Sequence, residues 1–265
     1  MVKLTTKLTM NKLHLSLFLI IGLFAACTSD EEVGKGTLDL NFKATYQGTP
    51  LVMFDQVYTY PDGSPIKFQL FNYYVSDITL LQEGQSAGDG QVISEVARID
   101  YRGVYDLPTA DAGINLRFDN VKAGVYTKIR IGLGLTPELN ATQPGDYAAD
   151  HPLSENYWSW ARGYVFAKIE ANADLDGDGQ FSDKLTYHIG ATDLYTTIEL
   201  ADPVVVQKDN PATITFSVDV HDILQNQQGD YLDISQPANT QDHTNNEAIY
   251  GFLWTNFTQA FGLKK

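Results

Sequence analysis

Strict alternation of apolar and polar residues is the feature that most restricts the folds open to this sequence. In residues 38–46 every second residue is apolar, and residues 212–220 repeat the pattern near the other end of the chain. Because successive side chains of a β-strand point to opposite faces, each such segment predicts a strand with one buried face. The sequence therefore predicts a fold built from sheets.

Turn residues such as Pro61-Asp62-Gly63 separate roughly ten such segments along the chain. The aromatic and β-branched run 66–81 predicts one bent strand or two, and residues 157–170 predict another strand. Only residues 246–261 repeat apolar side chains with the period of a helix. We predict an all-β protein: a single β-sandwich-like domain over residues 37–265, with long loops and a short C-terminal helix.

The first 26 residues have the pattern of an export signal. Three lysines precede an apolar run, residues 13–26, which is shorter than a bilayer span. The run ends in Phe24-Ala25-Ala26-Cys27, which resembles the lipobox of bacterial lipoproteins. We predict that residues 1–26 are a lipoprotein signal peptide and that Cys27 carries the lipid. The alternative is an ordinary secretory signal or an uncleaved anchor.

The net charge of the mature chain limits its partners, and the acidic segment after Cys27 indicates its location. Without the leader, 15 basic residues face 33 acidic ones, a formal charge of −18. Such a charge argues against a nucleic-acid partner. Residues 27–36 form an acidic tether, and Asp30-Glu31-Glu32 within it resembles the surface-export signal of Bacteroidetes lipoproteins. We predict an outer-membrane lipoprotein that faces either the cell surface or the periplasm, bound to the membrane through Cys27.

One acidic loop has the spacing of a calcium site. Carboxylates at alternate positions converge on one cation, and a glycine at the sixth position permits the tight turn. The last position departs from the pattern, because Leu185 stands where a bidentate glutamate is usual. The alternative is an acidic hairpin tip that binds nothing. The predicted calcium ligands are Asp174, Asp176, Asp178, Gln180 and Asp183.

Aromatic and imidazole side chains gather around residues 157–164, YWSWARGY, which contain Trp158 and Trp160. The histidines of the mature chain have no spacing of the zinc-motif kind. His188 is the best single ligand candidate, because Gly190 follows two residues later and another backbone segment could approach closely there. The alternative is that the two tryptophans are packing residues and the histidines lie at the surface or in the core.

We find no motif for catalysis in the sequence. There is no G-x-S-x-G segment, no phosphate-binding glycine loop, and the only cysteine is the predicted lipid site. With a single cysteine no disulfide can form within the chain, so the core alone must hold the fold. We predict that the protein is not an enzyme.

Several segments together resemble the MbnP-like family of exported β-rich proteins linked to bacterial copper homeostasis. The resemblance extends from about residue 37 to residue 261, and its most specific part is the WSWxxGY block. The matching segments are FNYYVSDI at 71–78, NVKAGVY at 120–126, YWSWARGYVF at 157–166 with Glu170, YHIG at 187–190, and residues 256–261.

This resemblance implies copper binding. In the family a tryptophan oxidised to kynurenine joins two histidines around the metal, and a di-haem, MauG-like peroxidase partner performs the oxidation. Carried over to this sequence, Trp158 or Trp160 would be the modified residue and His188 a ligand. His151 and His243 compete for the second imidazole position. An outer-membrane transporter is a further partner that the resemblance suggests.

Two functions remain open from the sequence. The first is a lipid-anchored, non-enzymatic envelope protein that stores, scavenges or delivers copper. The second is a surface β-sandwich lipoprotein that binds a glycan or a partner protein, with the tryptophans as stacking platforms and calcium as a structural brace. The positions of the indoles relative to the histidines distinguish the two.

Overall fold

The alternating segments of the sequence form strands in the computed structural model, which describes residues 34–159 and 163–264. The strands are β1 (Lys35–Tyr46), β2 (Thr49–Pro50), β3 (Tyr58–Thr59), β4 (Pro65–Leu81), β5 (Gln91–Asp100), β6 (Ile114–Lys122), β7 (Gly124–Leu133), β8 (Tyr157–Trp158), β9 (Gly163–Tyr164), β10 (Ala167–Ala173), β11 (Asp183–Ile189), β12 (Thr196–Val206), β13 (Ala212–Asp219), β14 (Gln241–His243) and β15 (Gly262–Leu263). The helices are α1 (Leu107–Ala112), α2 (Pro137–Asn140), α3 (Val220–Leu224) and α4 (Glu247–Ala260).

The first sheet is organised around β1, whose alternate residues are buried as the sequence predicts. β1 pairs antiparallel with β6 on one side and parallel with β13 on the other. Phe42 of β1 lies opposite Phe216 of β13, and their rings stack with centroids 4.9 Å apart. Burying each of these rings contributes about 1.5–3 kcal/mol.

The second sheet is organised around β4, a single long strand. β4 pairs with β10 along its first half and with β7 along its second half, so that the order is β12-β7-β4-β10-β11-β14. Asp77 has a φ of 50° at the point where the register shifts, and its carboxylate accepts a hydrogen bond of 2.8 Å from Arg130. This irregularity bends β4. The segment predicted to form one bent strand or two is therefore one bent strand.

A single apolar core joins the two sheets. Phe261, which follows α4, packs on Phe42 of the first sheet and on Tyr73 of the second, at centroid distances of 6.5 and 6.1 Å. Phe257 of α4 adds an edge contact with Tyr73 at 5.2 Å. The all-β sandwich fold and the C-terminal helix are therefore confirmed. No helix within residues 34–159 and 163–264 is both long and apolar enough to cross a bilayer.

Residues 157–170 do not form the single strand that the sequence suggested. β8 and β9 pair with each other in a small antiparallel hairpin, Trp158 opposite Gly163, and only β10 joins the second sheet. Gly163 has a φ of 109°, and Asn156 before the hairpin has a φ of 61°. These left-handed residues turn the chain away from an extended path. The hairpin is therefore a separate element beside the sheet.

The carboxylate of Asp219 closes the end of the β1–β13 pair. It accepts hydrogen bonds from the Gln47, Gly48 and His221 amides and from the Thr45 hydroxyl. The Asp219→Ala substitution leaves those donors without their acceptor and removes the N-cap of α3. We expect the free energy of unfolding to fall by about 1–2 kcal/mol. Urea denaturation measures this change, with the exposed Asp62→Ala variant as the control; no difference between the two would contradict it.

Candidate metal centre

One row of polar side chains crosses the second sheet at a single level. In the strand register His243 of β14 lies beside His188 of β11, and His188 lies opposite Lys168 of β10. The row continues through Asn72 of β4 to Asp100 of β5. Residues directly opposite each other in a sheet share a face, so this face carries the two histidines and a lysine together.

The two histidines contact each other through the same ring atom. The Nδ1 atom of His188 lies 3.3 Å from the Nδ1 atom of His243, and the ring centroids are 5.1 Å apart. His188 is only 7% exposed, whereas His243 is exposed at the edge of the sheet. The three-residue strand β14, which pairs parallel with β11, is the element that places His243 here.

The indole of Trp158 covers this pair of imidazoles. Its ring centroid lies 4.8 Å from that of His188 and 5.3 Å from that of His243. The ammonium of Lys168 lies 6.0 Å from the centroid of the indole. An aromatic ring and two imidazoles from three separate strands therefore enclose one small volume.

Close backbone approach at Gly190 brings the aromatic hairpin to the histidine strand. A Cβ atom at Gly190 would lie 2.5 Å from the carbonyl oxygen of Tyr164. The Phe166 amide donates a 2.6 Å hydrogen bond to the Ile189 carbonyl, and the Val165 amide donates one to Asn156. Glycine at this position is therefore required by the packing that holds residues 164–166 against the end of β11.

Burial favours the neutral form of the His188 imidazole. Desolvation lowers the pKa of His188, and the Lys168 and His243 charges act in the same direction, while Glu170 opposes them. The Glu170 carboxylate lies 2.7 Å from Nε2 of His188, and this hydrogen bond lowers the pKa of Glu170. A neutral imidazole has a nitrogen lone pair available to a metal ion.

The segment around His243 is strained. Thr244 has a φ of 62°, a region that β-branched residues rarely adopt. Within the described part of the chain, Asp242 Oδ2 and Thr244 Oγ1 are buried without a hydrogen-bond partner. Oδ1 of Asp242 accepts hydrogen bonds from the Asn245 and Asn246 amides. His243 thus lies between Asp242, which has a buried carboxylate oxygen without a partner, and Thr244, which has a strained backbone. Both features cost free energy.

His151, the other candidate for the second imidazole, makes its contacts within its own loop. His151 stacks on Tyr147 with centroids 4.1 Å apart, and its Nδ1 atom accepts a 3.1 Å hydrogen bond from the Leu153 amide. One of its two nitrogens is therefore already engaged within its own loop. Trp160 and Cys27 lie outside the described residues.

The acidic loop between β10 and β11 converges on one point. Asp174, Asp176 and Asp178 each offer a carboxylate oxygen, and these oxygens lie within 4.8 Å of one another. Asp174 accepts hydrogen bonds from the Gly177 and Gly179 amides, both glycines having positive φ. Asp183 accepts from the Leu175 amide, and Gln180 bonds to Asp178. The loop is already folded around its carboxylates.

The donor set at the histidine pair suits a metal that prefers nitrogen. Two imidazole nitrogens 3.3 Å apart can each lie roughly 2 Å from one ion. Imidazoles bind copper, zinc, nickel and iron, whereas calcium and magnesium require oxygen ligands. The histidine pair and the acidic loop therefore suit different classes of ion.

Sequence reasoning left the partner of His188 open between His151 and His243. His243 stands 55 residues from His188, in a polar stretch without strand alternation. Only the pairing of β14 with β11 brings the two together. The hydrogen bond between His188 and Glu170 also has no signal in the sequence. Glu170 lies two residues from Lys168 along β10, so both side chains are on the face that carries His188.

Comparison with known proteins identifies the family. The MbnP family model matches residues 35–244. A solved structure, MbnP from Methylosinus trichosporium, is 16% identical with a TM-score of 0.48, over 72% of this chain and 78% of that one. No curated protein sequence matches the chain. At such a low identity and TM-score the assignment rests on the family model, which covers most of the chain. The chain belongs to the MbnP family.

Proposed function

We propose that this protein binds copper at the cell envelope and stores, scavenges or delivers it without catalysing a reaction. The observation that carries the proposal is the pair of Nδ1 atoms of His188 and His243, 3.3 Å apart beneath the Trp158 indole. His188, His243 and Trp158 would hold the metal. His151 remains the alternative second imidazole.

The surroundings of the pair support copper over hard cations. The two facing atoms are imidazole nitrogens, and burial of His188 favours its neutral, metal-binding form. Imidazole nitrogen is a good ligand for copper, and an ion with few ligands needs an apolar wall that excludes water. The Trp158 ring provides such a wall on one side.

Membership of the family suggests a modification of the tryptophan. We propose Trp158 as the residue oxidised to kynurenine, because its indole lies within about 5 Å of both imidazoles. Trp160 stays the alternative, since it lies outside the described residues. A di-haem, MauG-like peroxidase would be the partner that performs it. Peptide mapping of protein purified from its native envelope would show the mass gain on the peptide that contains Trp158.

A lipid on Cys27 would hold this site at a membrane. The lipobox before Cys27 and the acidic tether support an outer-membrane lipoprotein, at the cell surface or facing the periplasm. An outer-membrane transporter would then lie within reach of the tethered domain as a recipient or donor of copper. Intact mass of the native protein would show the diacyl or triacyl modification, and a Cys27→Ser variant would lack it.

Binding of a glycan or a partner protein is the less supported function. Stacking on sugars requires an open aromatic face, yet Trp158 is half-buried against two histidines and near Lys168. The indole that a glycan would need is therefore occupied by neighbours that suit a metal instead.

The experiment that tests copper binding is a competition titration. The mature protein is titrated with Cu(I) under reducing, anaerobic conditions against a chromophoric chelator of known affinity, and bound copper is measured after gel filtration. We expect one tightly bound ion per chain. Binding of several ions with equal weak affinity, or of none, would contradict the proposal.

We also propose that the acidic loop binds calcium as a brace for the β10–β11 hairpin, which carries Glu170 and His188. The convergence of Asp174, Asp176 and Asp178 supports this role, with Gln180 and Asp183 close by. A bound divalent ion would offset the mutual repulsion of the carboxylates.

Calcium is expected to raise the midpoint of thermal unfolding. At a hundredfold excess over the Kd the added stability is about 2.7 kcal/mol, or about 5–10 °C for a domain of this size. The Asp176→Ala variant should lose most of this increase, because it removes one ligand oxygen of the cluster. Differential scanning calorimetry with and without calcium checks it, with Asp202→Ala as the control. Equal increases in both variants would place calcium elsewhere.

A further inference from the structure

The side chain of Glu170 faces the buried histidine from the neighbouring strand. Glu170 of β10 lies diagonally across from His188 of β11, and its Oε1 atom is 2.7 Å from Nε2 of the imidazole. The Glu170 side chain is 35% exposed, whereas that of His188 is 9% exposed. The carboxylate therefore reaches inward from the surface to one specific nitrogen of a buried ring.

The chemistry of this pair determines which nitrogen carries the proton. An ionised carboxylate only accepts hydrogen bonds, so Nε2 of His188 must donate. In a neutral imidazole with a proton on Nε2, the lone pair lies on Nδ1. Nδ1 is also the atom of His188 that faces His243, at 3.3 Å. The hydrogen-bond network thus assigns one tautomer to the ring.

We propose that Glu170 is the positioning residue of the metal site: it holds His188 in the Nε2–H tautomer and directs Nδ1 toward the metal. This inference rests on the proposed copper site and specifies which atom of His188 binds there. Without the carboxylate, the proton could occupy either nitrogen and the ring could rotate about its Cβ–Cγ bond. A metal would then bind only the fraction of molecules in which Nδ1 is free and correctly aimed.

Outer hydrogen-bond partners of this kind have measurable effects on affinity. Loss of a partner that orients a ligating histidine typically costs 10–100-fold in metal affinity. Glu170→Ala removes the acceptor, and we expect the Cu(I) affinity to fall about 10–100-fold. Glu170→Gln keeps an acceptor oxygen in the same place, so it should retain much of the affinity. Glu199→Gln, an exposed carboxylate of β12 beside Lys128, is the matched control.

Two measurements separate this role from a general effect on folding. The first is the tautomer of His188 in the metal-free protein, read from long-range nitrogen–proton NMR correlations with ¹⁵N-labelled histidine above the titration range of imidazole. The second is Cu(I) affinity by competition with a chromophoric chelator. Wild type and Glu170→Gln should show the proton on Nε2, and Glu170→Ala should show a mixture of tautomers. Thermal unfolding of each variant checks that the fold is intact.

The outcomes distinguish the positioning role from the copper site itself. If wild-type His188 carries its proton on Nδ1, or if Glu170→Ala changes neither tautomer nor affinity, the positioning role is wrong. If the protein binds no Cu(I) but the tautomer still shifts in Glu170→Ala, the orientation by Glu170 stands and the proposed copper function fails. Equal loss of affinity in Glu170→Gln and Glu170→Ala would show that the negative charge of Glu170, and not its hydrogen-bond acceptor, determines the Cu(I) affinity.

Discussion

The His188→Ala variant is expected to lose at least about 100-fold in Cu(I) affinity, more than the loss of an outer hydrogen-bond partner would cause. His188 is the more buried of the two facing imidazoles and the one fixed by a carboxylate. Its removal leaves a single imidazole at the exposed edge of the sheet. Chelator competition measures the change, and far-ultraviolet circular dichroism checks that the strands persist.

Three further histidine variants complete this test. His243→Ala should also abolish tight binding, whereas His221→Ala should leave it unchanged, because the His221 ring packs on Tyr46 and beside Asp222. His151→Ala decides between the two candidates for the second ligand. Loss of binding in His151→Ala together with full binding in His243→Ala would overturn the site as drawn here.

Gly190→Ala is expected to lower the free energy of unfolding by about 3 kcal/mol. The new methyl group would lie 2.5 Å from the Tyr164 carbonyl oxygen and 2.9 Å from the Cα atom of Val165, and both are backbone atoms that cannot rotate aside. The strand must therefore move away from residues 164–166. Because these residues follow the hairpin that carries Trp158, we also expect weaker copper binding.

A matched substitution isolates the effect of this close approach. Gly251 lies inside α4 with open space around its Cα atom, so Gly251→Ala should raise stability by about 0.5–1 kcal/mol through helix propensity. Urea denaturation of both variants makes the comparison. A Gly190→Ala protein as stable as the wild type would show that the hairpin can shift freely and that its position is not fixed by β11.

The fold could be predicted wherever burial followed a simple period. β1 and β13 alternate in sequence and in the structure, and α4 begins and ends within one residue of the predicted bounds. The sequence also predicts a strand over residues 103–107, and this prediction is wrong: the segment is a turn that leads into α1. Asp106 caps α1 by accepting from the Thr109 amide, and Pro108 fits the first turn of a helix.

The site could be predicted only in part, because half of it depends on pairing between distant segments. Residue type and the resemblance of the YWSWARGY and YHIG blocks indicated Trp158 and His188. His243 gave no local signal, since a three-residue edge strand is too short to show alternation. Its position depends on the parallel pairing with β11, and that pairing depends on the whole sheet.

The unequal exposure of the two histidines would set the order in which they leave an ion bound at the proposed copper site. An ion bound by both imidazoles has one ligand sealed in the sheet and one at a rim open to solvent. In the proposed copper site, an incoming ligand from a recipient would displace His243 first while His188 still held the ion, so that copper would not be released into solution. The strained backbone at Thr244 lowers the cost of moving His243 aside. If the protein delivers copper as proposed, handover would then proceed stepwise, with His243 leaving before His188.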